Sequence, residues 1–141
     1  MEMNTSKVPH SPSITILDLD GELDASNYLD VIERVRQLYQ SGTRQLVIDL
    51  SDLRFLSSSG LVSLHSAALI MRGDEPPSPE LGWSAFHAIA TDVEKGFETC
   101  CKLVNPQGRV RKSLEMTGFN NFLEIFEDTS AAVESFSQPT E

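Results

Sequence analysis

Apolar positions along this chain alternate between two periods, one suited to strands and one to helices. Residues 13–19, SITILDL, put Ile14 and Ile16 on one side of an extended chain and Leu17 and Leu19 on the other. That pattern predicts a strand covered on both faces near its end. After GELDAS at 21–26, Tyr28, Leu29, Ile32, Val35, Leu38 and Tyr39 recur at spacings of three and four, the stripe of an amphipathic helix. Asp24 or Ser26 is placed to cap its start, and Ser41-Gly42 to close its end.

LVIDL at 46–50 reads as a short central strand, rich in residues that suit burial on both sides. In SDLRFLSSSGLVSLHSAALIM, Leu53, Phe55 and Leu56 lead into three serines, and Leu61, Leu64 and Ala68 follow at helical spacing. The pattern then breaks. GDEPPSPELG at 73–82 carries three prolines, which exclude a regular helix or inner strand, so the stretch at about 73–98, with Trp83, Phe86 and Phe97, reads as an insertion. TCCKLV at 99–104 is a further strand, stopped by Asn105-Pro106. A helix follows over 107–116, with Val110, Leu114 and Met116 inward. Phe119, Phe122, Leu123, Ile125 and Phe126 supply a last edge strand, and Asp128 or Thr129 caps a terminal helix through Phe136.

Strands that alternate with helices imply crossovers over a mainly parallel sheet, an α/β fold. The expected organisation is a flexible tail at 1–12, a single domain at 13–137 and a frayed tail at 138–141.

Length and composition agree with one domain: 141 residues, 40% hydrophobic and 23% charged, suffice for one core but not two comfortable ones. The formal net charge of -10 opposes binding to phosphate backbones and to anionic membrane surfaces. Neither a signal-peptide pattern nor an apolar run of about 18 residues occurs, so a cytoplasmic location is the expectation. Cys100 and Cys101 are neighbours whose mutual disulfide would be strained, which predicts reduced thiols. The three histidines, His10, His65 and His87, lack paired-ligand spacing, and no metal or cofactor is expected.

Three kinds of candidate chemistry remain. Asp18, Asp20, Glu22 and Asp24 alternate in a way that suggests a cation site, but the glycine and terminal glutamate of a calcium loop are missing, and solvated charge is the simpler reading. Arg109, Arg111 and Lys112 form a basic cluster suited to pairing with acidic neighbours or a partner. Ser57, Ser58 and Ser59 stand at a helix start, where a hydroxyl caps the first turn, Ser58 being the best placed for it, and where the helix dipole favours a phosphate. Ser58-Ser59-Gly60 lacks the first glycine of a nucleophile elbow, and His65, the nearest imidazole in sequence, lies inside the helix, so a hydrolase is not expected.

GELDAS at 21–26, LVIDLSDLRFLSSSGLVSL at 46–64 and KLVNPQGRVRKSLEMTGFNNFLEIFED at 102–128 together resemble STAS domains of the anti-sigma factor antagonist type. The resemblance implies a mixed, mostly parallel sheet of four to five strands with helices mainly on one face, and no catalytic activity. In its phospho-switching members an anti-sigma factor serine kinase modifies the serine before the glycine of D-S-S/T-G-L, which is Ser59 here, with Ser58 and Ser57 as alternatives. The unphosphorylated protein binds the kinase, the phosphorylated one releases it, and a PP2C-type phosphatase restores it. The implied partner surface includes Asp24, Ser57, Ser58, Gly60 and Leu61. Ser57 occupies the position of the family's aspartate, which motivates the alternative of a constitutive STAS subunit in a lipid-transport or other assembly.

Overall fold

The computed structural model describes residues 1–9, 11–74 and 98–137. The proposed insertion therefore lies almost wholly outside the described residues, with Trp83, Phe86 and Phe97, as do His10, His87 and the tail at 138–141.

The framework is one six-stranded sheet. Strand β2 (Ser11–Leu23) is its longest member, extending past both ends of the predicted 13–19. Its neighbour β3 (Gln45–Asp49) runs parallel to it, β5 (Cys101–Val104) parallel to β3, and β6 (Ile125–Phe126) parallel to β5.

Two strands escaped the pattern reading and raise the number from the expected four or five to six. The N-terminal stretch expected to be a loose tail forms β1 (Glu2–Val8), an edge strand antiparallel to β2. Its residues are mostly exposed and polar, so hydrophobic period carried no signal; β1 forms because its backbone satisfies the outer N–H and C=O groups of β2. Strand β4 (Leu53–Leu56) pairs with the end of β2 through Gly21, Glu22 and Leu23.

Helices α1 (Tyr28–Gln40), α2 (Ser58–Met71) and α3 (Gly108–Met116) contribute to the larger core together with Leu17, Leu19, Leu46, Ile48 and Leu103 of the sheet. The terminal helix α4 (Thr129–Ser137) covers the other face, where Ile14, Val47 and Val104 meet Ala132. The predicted division of β2, with Ile14 and Ile16 on one side and Leu17 and Leu19 on the other, matches these two clusters. Asp128 caps α4 by accepting from the Ala131 amide at 2.8 Å.

Two apolar assignments need correction. Leu29 and Met116, expected to face inward, are 52% and 77% exposed; each sits near a helix end, where the stripe rotates off the core. Helix α2 departs the other way: every residue from 60 to 71 is buried, not one stripe of it. Among the described residues no helix is long and apolar enough to cross a membrane.

Candidate functional site

The three serines lie where β4 turns into α2, at the end of the sheet reached by the carboxyl ends of the parallel strands. That is the usual place for a binding site in an open α/β sheet. Ser57 is the N-cap: its backbone is extended and its Oγ accepts the Gly60 amide at 3.2 Å. The cap expected of Ser58 therefore falls to its neighbour. The assignment moves back by one residue because Ser58 already belongs to the helix and its side chain is exposed. Serine and aspartate are comparably strong N-caps, so Ser57 retains the local structural role of an aspartate at this position while lacking its charge.

Ser59 is half-buried in the first turn of α2. Among the described residues, no hydrogen bond engages the side-chain hydroxyl of Ser58 or Ser59. Both are available for modification or contact. A phosphate here would stand at the positive end of the helix dipole, beside first-turn amides that lack helical partners.

Gly60 and Leu61 are buried, so they position the serines instead of facing a partner. A Cβ on Gly60 would lie 2.5 Å from Leu56 Cδ1, 3.0 Å from Leu23 Cγ and 3.1 Å from the Leu23 carbonyl oxygen. Only glycine lets α2 begin this close to the ends of β2 and β4.

The same approach joins the serines to GELDAS. Leu23 is the register partner of Leu56, and the Leu23 carbonyl accepts the Ser57 amide at 3.0 Å. Asp24, the next residue, is thereby held beside the start of α2. Its Oδ1 accepts the Ser26 hydroxyl at 2.5 Å and the Ser26 amide at 2.9 Å. The hydroxyl first, and the amide second, hold its carboxyl below the ordinary carboxylate range. Asp24 is therefore a fixed negative charge at the rim.

Asn27 is the residue that motif reasoning missed. Its Nδ2 donates to the Glu22 carbonyl at 2.8 Å, and its Oδ1 accepts the Asp24 amide at 3.0 Å, so one side chain clamps both ends of the loop. The signal available was its place just before the helix, where asparagine commonly bonds nearby backbone. Asn27, and not Asp24 or Ser26, holds the N-cap position of α1. Beside this loop is a polar cleft of about 470 Å³ whose lining includes Asp20, Glu22, Asp24, Asn27 and Arg54. Exposed Leu29 and Phe55 add apolar area nearby, Phe55 as the register partner of Glu22.

The acidic alternation is not uniformly solvated, contrary to expectation. Glu22 is exposed and Asp20 lies 3.9 Å from Arg54, but Asp18 Oδ1 is buried with no hydrogen-bond partner among the described residues. Burial, and then the carboxylates of Asp49, Asp52 and Asp20, push the Asp18 carboxyl up. Among the described residues no group of His, Cys, Asp and Glu could hold a metal ion.

The basic cluster spreads around α3. Arg111 donates to the Pro106 carbonyl at 3.2 Å, and Arg109 lines a second cleft of about 440 Å³ with Arg54, Asp20 and Asp52. Cys100 and Cys101 are both free; burial, and next the Glu98 carboxylate, push the fully buried Cys101 thiol far up, which leaves it unreactive. His65 is buried against Phe122, with ring centroids 5.5 Å apart.

Comparison with known proteins agrees with this geometry. Residues 5–71, from β1 through α2, match the model of the STAS domain family. The chain is similar to a crystal structure of a putative anti-sigma factor antagonist from Thermotoga maritima, at TM-score 0.70 and 18% identity, over 96% of this chain and 95% of that one. A similar match, at TM-score 0.65 and 18% identity, is to an anti-sigma factor antagonist from Mycobacterium paratuberculosis, over 97% and 96% of the two chains. The phosphorylated form of the Bacillus cell fate determinant SpoIIAA aligns at TM-score 0.55 and 17% identity, over 94% and 97%. No curated protein gives a significant match in sequence. Residues 5–71 thus resemble the STAS domain family, and the chain shares the SpoIIAA-like fold of the anti-sigma factor antagonists.

Proposed function

We propose that this protein is a regulatory binding module of the anti-sigma factor antagonist class, switched by phosphorylation of Ser59, and not an enzyme. The observation that carries the reading is the junction of the two loops. An uncommitted hydroxyl on Ser59 stands at a helix N-terminus that the bond from the Ser57 amide to the Leu23 carbonyl ties to the loop carrying Asp24. The unphosphorylated surface, formed by Asp24, Ser57 and Ser58 and positioned by Gly60 and Leu61, binds an anti-sigma factor serine kinase. A phosphate on Ser59 adds up to about two negative charges beside Asp24 and Glu22, and like-charge repulsion with added bulk releases the partner. A PP2C-type phosphatase resets the surface. Ser57 supports a working switch despite its lack of charge, because the cap that shapes the turn is retained.

The test is incubation of the protein with ATP and the anti-sigma-type serine kinases of its own organism, followed by intact-mass measurement and mapping of the modified residue. One added phosphate on Ser59, abolished by Ser59→Ala, is the expected result. Ser59→Asp weakens kinase binding. Ser57→Asp exchanges one strong cap for another, so it leaves the fold intact and changes the rate of phosphorylation alone. A phosphate that survives Ser59→Ala overturns the acceptor assignment. Absence of any phosphate, with a transport ATPase recovered in its place, turns the reading to a constitutive STAS subunit.

A further inference from the structure

We propose that α4 is a separately opening cover over the second face of the sheet, latched by Lys102. This device is independent of the serines, which lie on the side packed by α1 and α2.

Three observations converge on it. Among the described residues of α4 only Ala132 is fully buried, while Val133 and Phe136 are partly exposed. Helices with so few buried apolar contacts belong to the low-stability units that open without global unfolding. Next, α4 does not seal the face it covers: a groove of about 280 Å³ separates its first turns from β1 and β2, lined by Lys7, Val8, Ile16, Ser130 and Val133. Finally, Lys102 is 8% exposed on β5. Its Nζ lies 5.0 Å from the Phe136 ring centroid, 5.3 Å from that of Phe126 and 3.5 Å from Glu124 Oε1.

A buried ammonium needs such compensation. One of its two rings belongs to α4, so docking of the helix and burial of the charge are coupled. When α4 leaves, the flexible stem lets the ammonium regain water, and the open state keeps no stranded charge. Opening uncovers Ile14, Val47 and Val104.

Native-state hydrogen exchange on the full chain tests both parts. Amides of residues 132–135 are expected to exchange at least about 100-fold faster than those of 64–70, at a rate nearly independent of low denaturant, as local opening requires. Lys102→Ala speeds α4 exchange about tenfold further and leaves α2 unchanged. Phe136→Ala, at the rim where refolding is not at risk, does the same and adds little on top of Lys102→Ala, the signature of a coupled pair. Exchange of α4 in step with α2, at the same denaturant dependence, overturns the cover. Unchanged α4 protection in both variants, or an equal loss in α2, overturns the latch.

Discussion

The two faces of the sheet are built to different tolerances. On one, α2 is buried along its whole length from Gly60 onward and starts so close to β2 and β4 that a single methyl at position 60 has no room. On the other, α4 rests on a small cluster, with a groove beneath it and a lysine among its contacts. The serines are carried by the tight face. A surface that must present one hydroxyl at a fixed place benefits from a helix that cannot shift, whereas the loose face has no such demand in the proposed switch.

Truncating one side chain on each face gives the largest effects. Leu17→Ala, on the tight face, should cost about 4 kcal/mol of unfolding free energy and Ile14→Ala, on the loose face, about 2, because a looser site collapses around its cavity more readily. Urea unfolding measures both, and equal losses would break the comparison. Gly60→Ala should cost about 1–3 kcal/mol by overpacking, and should also slow any phosphorylation of Ser59 by displacing the first turn of α2.

The smallest effect concerns charge. Asp18 follows Ile14 and Ile16 on the loose face and pairs in register with Asp49. Its folded pKa is raised above the ordinary 3.8, so the folded state binds its proton more readily than the unfolded state does. That contribution favours folding below the ordinary value and is lost as pH rises through the folded pKa. Asp18→Asn should therefore be slightly more stable than the native protein at pH 7, with the advantage shrinking in acid. A constant difference across that range would show that the Asp18 charge is not felt by the fold.

Much of the architecture was legible in the residue pattern. The alternation of β2 and the stripe of α1 each carry a period that backbone geometry reads directly. β1 and β4 were not, since one is polar and edge-paired and the other is a short run without clean alternation. In the site, the serines stood out as hydroxyls at a helix start, and their resemblance to a family motif singled out Ser59. Which serine is the cap turned on where the helix begins, a boundary that pattern alone places only to within a residue or two.

The sequence by itself determined the period of each element, the acidic surface and the presence of hydroxyls ahead of an apolar helix, because these depend on neighbours along the chain. Only the tertiary structure decided that Leu23 would lie against Gly60, that Asp18 would be partly stripped of water and that Lys102 would reach two phenyl rings. Each of those rests on contacts between segments distant in sequence or on burial, which the packed sheet sets and local pattern does not encode.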